Sequence, residues 1–423
     1  MSMIKKILKA LNNKGVSEYR IIESVKKTVE EFYVLQNLET TRKTETLEDH
    51  VTVYKTFEEN GKKYLGSSNF IISHNVSMKE LEVLIEDALF ASGFVKNEHY
   101  ELVKGTSKKN YNAKGKPENP FNLLQDIALV FINASNEKCK FNSLELFYNE
   151  VETHIVNSNG VDYKKNTFNV QVEAIPSFKD ENNKTELYRM FKYDNIDFDK
   201  IKEDSANAIN DVLLRSQTIK NEGNKKINVI LKDEHVKDLF RELISTYNYS
   251  DVYHKSNFKS IGESVQDNPV CKLNISLKTA SKADYFDSEG ILLKECELIS
   301  DGILKAYFGS NRFAYYLGVE PTGALNTLKI DKGNKSVEKF KKDPYIEIID
   351  LSGIQLDLYA GYIGGEVRLA NYFDGTNTYP ISGFSFSGNL NECVNTLELS
   401  KEVTKINGYE GPKYVLLKQF DIC

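Results

Sequence analysis

The sequence predicts an α+β protein, with a mixed α/β region at the N-terminal end and a strand-rich, barrel-like domain at the C-terminal end. Three observations predict it. Helix-like and strand-like stretches come in groups rather than in alternating βαβ order, which favours segregated layers over a doubly wound parallel sheet. Seven of the 24 glycines fall between Gly353 and Gly388, interleaved with Tyr, Phe, Ile and Val. Glycine at that density serves tight turns and bulges in a curved sheet or barrel. Two polar, turn-forming stretches, Lys104–Pro120 and Thr218–Lys226, divide the chain into sections 1–103, 104–217 and 218–423.

In the first section, Met1 to Leu11 places Ile4, Ile7, Leu8 and Leu11 on one face of a basic helix. The reading is a helix packed on its own domain, with a membrane-surface role as the competing one. Polarity then alternates from Glu18 through Thr56, as in strands. Glu58-Glu59-Asn60-Gly61 offers a hairpin turn, since Asn-Gly accepts positive φ, and a strand follows to about Ser73. Ser77 with Glu80 forms a capping-box signature, after which Leu81, Leu84, Ile85, Ala88 and Leu89 recur at helical spacing.

The second section opens with a helix near Asn122 to Ala134. In the strand that follows, Phe168, Val170, Val172 and Ala174 share one face and Thr167, Asn169 and Gln171 the other. It closes with a helix from about Asp197 to Ser216, striped by Ile201, Ala208, Ile209, Val212 and Leu213. The third section starts with a strand, Ile227 to Leu231. A helix from His235 to Tyr247 comes next, with Val236, Leu239, Phe240, Leu243, Ile244 and Tyr247 on one face. Cys271, Leu273, Ile275 and Leu277 then alternate with polar residues as in a strand.

Composition narrows the function. Apolar residues make 40% and charged residues 27% of the 423, an ordinary globular balance. The net charge of −6 gives no reason to expect a nucleic-acid partner, which would favour a basic surface. Cys139, Cys271, Cys296, Cys393 and Cys423 are scattered, with no CxxC pair. They read as reduced thiols in a reducing compartment. No signal-peptide core and no apolar run approaching ~18 residues is present, so the expectation is a cytoplasmic protein without a membrane partner.

Several segments resemble one family in order and spacing over roughly residues 15 to 421. They are Asn157-Ser158-Asn159-Gly160-Val161 with Thr167; Asp301-Gly302-Ile303-Leu304 through Asn311-Arg312-Phe313-Ala314 and Leu317-Gly318 to Thr322-Gly323; Tyr379-Pro380-Ile381 with Ser382-Gly383; Gly388-Asn389-Leu390; and Gly411-Pro412 opening the last strand. Together they look like the TldD/PmbA family. The resemblance implies the family's fold and a paired cytosolic protease for unstructured peptides, including leader peptides. One subunit, TldD-like, carries zinc on an HExxxH helix with a distant Cys as a further ligand. The other, PmbA- or TldE-like, lacks the metal.

Laid over this chain, the family's His-Glu pair falls on Arg241-Glu242 and its second His on Thr246. Zinc takes thiolate, neutral imidazole or carboxylate. Arg is a permanent cation without a free lone pair, and Thr offers only a hydroxyl. Glu242 keeps the general-base position, yet without a metal-bound water it has nothing to activate, and it reads as a solvated helix carboxylate. The distant Cys is missing too: Lys405-Ile406-Asn407-Gly408-Tyr409-Glu410 contains none. No catalytic residue, metal ligand or cofactor is therefore expected in this chain, with zinc expected in a TldD-like partner.

Other constellations read as structural. His235 and His254 fit no metal spacing and are expected to be exposed. Cys271 and Cys296 are expected to be buried in strands, and Cys423 to be mobile. No GxSxG elbow appears. Asp284, Asp287 and Glu289 form an acidic cluster in a turn-rich segment, expected to be a solvated loop because calcium-loop spacing is not met. Three functions follow in order. The first is a non-catalytic subunit whose Gly353–Gly388 stretch walls a peptide channel or meets its partner by backbone pairing. The second is a homo-oligomeric peptide- or ligand-binding scaffold, and the third a self-sufficient hydrolase. A DNA-gyrase role, an older label of the family, has no support in the acidic balance.

Overall fold

A computed structural model describes residues 3–73, 75–220, 225–281 and 283–423. The helix α1 (Met3–Asn13) buries Ile4, Ile7, Ala10 and Leu11. It packs on its own domain, as its apolar spacing predicts. Strands β1 (Glu18–Val34) and β2 (Asn37–Glu59) form a long antiparallel hairpin. Its turn is at Leu35, which takes φ +55° without any glycine to announce it. The second turn matches the sequence: Asn60 and Gly61 both have positive φ, and β3 (Lys62–Ile72) returns along β2. In α2 (Met78–Ser92) the capping box forms as written, with Ser77 accepting from the Glu80 amide and Glu80 from the Ser77 amide.

Residues 104–120 hold β4 (Lys109–Asn112) and end where Asn119 caps α3 (Pro120–Ala134). The sheet does not break there. Strand β5 (Cys139–Asn157) pairs with β1 from Arg20↔Asn157 to Val34↔Ser143, and β6 (Asp162–Lys179) follows antiparallel. With β7 (Lys184–Glu186) and β8 (Arg189–Tyr193), one eight-stranded sheet spans the first two sections in the order β3-β2-β1-β5-β6-β4. Phe168, Val170, Val172 and Ala174 are buried under α3 and α4 (Phe198–Ser216). The α1–α2 pair covers another part of the same face, since Ile21, Val29 and Tyr33 lie an even number of residues apart on β1. The opposite face, through Ile155 and Tyr163, receives Phe286 from the C-terminal half.

That half begins with β9 (Ile219–Lys220) and β10 (Lys225–Lys232); residues 221–224 of the expected connection lie outside the described ones. It continues with α5 (Glu234–Leu243), α6 (Tyr249–Tyr253), β11 (Ile275–Lys278), β12 (Cys296–Ser300), β13 (Ile303–Leu304), α7 (Asn311–Leu317), β14 (Thr327–Ile330) and α8 (Val337–Phe340). Then come β15 (Tyr345–Asp357), β16 (Tyr362–Phe373), β17 (Thr378–Ser382), β18 (Phe384–Asn389), α9 (Leu390–Thr396), β19 (Glu398–Leu399), β20 (Val403–Ile406), β21 (Tyr409–Pro412) and β22 (Tyr414–Ile422). Strands β15, β10, β22, β18 and β16 pair in a closed cycle, because β16 returns to β15. This is the barrel that the glycine density predicts. Three register shifts between Ile348 and Ile354 bend the β15–β16 hairpin, and Gly353 sits there at φ +146°.

Beside the barrel a six-stranded sheet runs β13-β12-β11-β14-β21-β20. The expected strand from Cys271 is shorter, since only Ile275–Lys278 pairs. Gly411-Pro412 closes β21 rather than opening the last strand. The two halves are joined by Arg189, which lies between Asp211 of α4 at 3.2 Å and Asp350 of β15 at 3.0 Å, all three mostly buried.

Candidate functional site

The α5 helix is placed by its apolar stripe. Val236, Leu239, Phe240 and Leu243 sink into one core with barrel strands and with Ile275, Leu328 and Tyr409 of the six-stranded sheet. Its outer face therefore stands where those two sheets meet. The helix ends at Leu243 and tightens into a 3-10 turn, Ser245–Tyr247, so the positions matched to the zinc motif split. Arg241 and Glu242 are exposed on the last helical turn, while Thr246 is half-buried beyond it. The Thr246 Oγ1 is enclosed without a hydrogen-bond partner among the described residues.

Arg241 reaches away from the helix. Its Nη2 donates to the Asn326 carbonyl at 2.6 Å and lies 3.5 Å from the Gly408 carbonyl. Gly408 is the turn between β20 and β21, in the very segment where the distant Cys would be looked for. It has φ +72°, and a Cβ there would stand 2.5 Å from the Arg241 nitrogen. The guanidinium thus bridges the helix position and the third-ligand segment directly. A zinc site does not fit these residues: they offer one carboxylate, one hydroxyl and a fixed cation. Among the described residues no three His, Cys, Asp or Glu side chains converge as a metal-binding group.

The histidines are far from equivalent. His254 is exposed, as expected, at the end of α6, where its ring lies edge-on to Tyr253 and Phe313. His235 is not exposed: it is half-buried with its ring 3.4 Å from the Ile349 carbonyl. Desolvation drives its pKa below the ordinary imidazole value, against smaller opposing pulls from that carbonyl and from acidic neighbours. Cys271 and Cys296 are half-buried rather than buried, and burial raises both thiols, Cys296 to about 11. Neither is an activated thiolate.

The acidic cluster also departs from expectation. Asp284, Asp287 and Glu289 do not form a solvated loop. Asp284 pairs with Lys165 at 2.5 Å. Buried Asp287 accepts from the amides of Glu289, Ile291 and Ala324 at 2.9, 3.0 and 3.2 Å. Glu289 accepts from the Asn311 amide at 2.7 Å. Burial pushes both the Asp287 and Glu289 carboxyls up, with those amide bonds pulling the other way. Flanking Tyr285 and Phe286 are the sequence signal that this turn is packed. Phe286 is 1% exposed and anchors the loop on the N-terminal sheet.

Glu289 and Asn311 face a recess shared with Arg20, Tyr54, Tyr100 and Asn157, with room for about one water. Three residues from two of the sequence motifs make hydrogen bonds along this seam. Asn157 accepts from the Asn159 and Val161 amides and donates to the Val103 carbonyl. Asn311 donates to the Glu101 carbonyl, and Thr322 accepts from the Gly309 amide. Of these, the Asn311 bond ties the C-terminal half to the N-terminal one, while Asn157 and Thr322 brace their own halves. A wider groove opens elsewhere, lined by Ser17, Tyr54, Lys55, Leu89 and Phe90.

Residues 224–423 match the profile of the PmbA/TldA metallopeptidase C-terminal domain. The whole chain superposes on three solved structures. TldE from Thermococcus kodakarensis shares 16% identity at TM-score 0.76, covering 100% of this chain and 99% of that one. A protein described as a candidate modulator of a DNA gyrase, from Thermotoga maritima, shares 16% at TM-score 0.76, with 99% of each chain covered. One so described from Bacteroides thetaiotaomicron shares 18% at TM-score 0.77, covering 99% and 98%. At such identities the structural likeness speaks to fold. No curated protein sequence matches the chain.

Proposed function

We propose that the chain, whose residues 224–423 match the PmbA/TldA metallopeptidase C-terminal domain and whose fold is that of TldE, is a PmbA/TldD family member and the non-catalytic subunit of a paired zinc metallopeptidase acting on unstructured peptides. The observation that carries this reading is the Arg241 contact with the Asn326 and Gly408 carbonyls, which fills with a fixed cation the place where a ligand set would be needed. The zinc, in this reading, belongs to an HExxxH-bearing partner, where it supplies a Lewis acid and an activated water. This chain supplies surface. The bent β15–β16 hairpin, with Tyr359 74% and Tyr362 43% exposed at its tip, is the wall offered to peptide or partner.

The compartment proposed is the cytoplasm, which suits five unpaired cysteines. Among the described residues no helix is long and apolar enough to cross a membrane. The gyrase description belongs to the two relatives that carry it, and a net charge of −6 lends it no support here. The second reading, a homo-oligomeric binding scaffold, differs in needing no protease partner.

The test is zinc content and cleavage of an unfolded peptide by the purified chain, alone and mixed with the same organism's HExxxH-bearing relative. The expected result is no zinc alone and chelator-sensitive cleavage in the mixture. Stoichiometric zinc or cleavage by the chain alone overturns the proposal, and peptide binding with no response to the relative favours the scaffold.

A further inference from the structure

We propose that Arg241 is a resident cation that takes over the cross-linking task of a metal, so that this corner of the fold is set by a guanidinium and is indifferent to chelation. A structural metal ties together segments far apart in sequence. Arg241 does the same, reaching Asn326 across 85 residues and Gly408 across 167. One end of the tie is α5, whose inner face is buried in the common core. The others are the residue just before β14 and the turn between β20 and β21. Strands β14 and β21 pair only at Leu328↔Tyr409 and Lys329↔Glu410, so the guanidinium stands immediately beyond the end of a two-pair parallel ladder. A permanently charged donor aimed at a backbone carbonyl makes a strong, geometry-selective bond.

Gly408 fits this role from the other side. Its left-handed backbone suits glycine, and its missing side chain is what lets Nη2 approach, since a Cβ would intrude to 2.5 Å. Arg241 and Gly408 therefore form a matched pair, whose energetic effects must be coupled. The inference stands on this chain's own contacts and does not need a protease partner, so it can fail while the peptidase reading stands.

The experiment is hydrogen exchange and thermal melting of the full chain for wild type, Arg241→Met, Gly408→Ala and the double variant, each with and without a zinc chelator. Met keeps the apolar stem and removes every donor. The expected result is about tenfold faster exchange across residues 405–410 in Arg241→Met, no response of the wild type to chelator, and a Gly408→Ala penalty that shrinks in the Arg241→Met background. Unchanged exchange in Arg241→Met, additive effects of the two substitutions, or a wild type that loosens on chelation each overturn the proposal.

Discussion

Replacing Arg189 by Met tests how the two halves are held together. Arg189 sits between the carboxylates of Asp211 and Asp350, with side-chain exposures of 14%, 21% and 16%. The substitution keeps the stem and removes the charge, leaving two carboxylates facing each other in a mostly buried seam. Breaking a buried ion pair by deleting one partner costs about 3–5 kcal/mol; the partial exposure here puts the expectation near the lower end, about 3 kcal/mol. The cost must depend on pH. Burial already raises the Asp211 carboxyl above its usual value, and Arg189 opposes that rise. Without the guanidinium the folded-state value climbs further. A raised folded value means stability present below the unfolded pKa and lost as pH rises through the folded one. The deficit of Arg189→Met therefore grows as pH rises above the raised wild-type value of Asp211 and toward the higher one of the variant. Urea unfolding at a series of pH values measures it directly, and Arg189→Met with Asp211→Asn and Asp350→Asn recovers most of the loss at pH 7. A deficit that is constant with pH, or under about 1 kcal/mol at pH 7, refutes the argument.

Phe240→Ala opens a cavity where α5 meets both sheets, since Phe240 is 0% exposed; an unfolding loss of about 3–5 kcal/mol is expected in denaturant titrations. Glu289→Gln removes a carboxyl that burial has pushed up. Wild type loses stability at this site as pH rises above the usual carboxylate range, and the amide does not, so the variant gains on wild type toward neutral pH in urea midpoints. A pH-independent difference would contradict that.

Local chemistry was readable wherever the structure depends on neighbours in sequence. Ser77 with Glu80, Asn60-Gly61 and the stripe of Ile201, Ala208, Ile209 and Val212 all specify their elements within a few residues, and the structure bears each out. The turn at Leu35 was not readable, because an ordinary residue there adopts positive φ without glycine or asparagine to signal it. The acidic turn at Asp287 looked solvated because its partners, the amides of Ala324 and Asn311, come from other segments. His235 departs from expectation for a similar reason: its cover is Ile349, far along the chain. The positions Arg241, Glu242 and Thr246 came from the family resemblance. The reach of Arg241 to Gly408 could come only from three dimensions.

The continuous ladder between β1 and β5 has a practical corollary for anyone cutting this chain. A protease that nicks the exposed stretch around residues 104–120 severs one covalent link, yet fifteen facing residue pairs from Arg20↔Asn157 to Val34↔Ser143 still clasp the pieces. The nicked molecule would elute and sediment as though whole, and come apart only in detergent or denaturant. Expressed separately, each piece would carry a bare strand edge long enough to recruit the wrong partner, so truncation at that loop yields aggregates where nicking yields none.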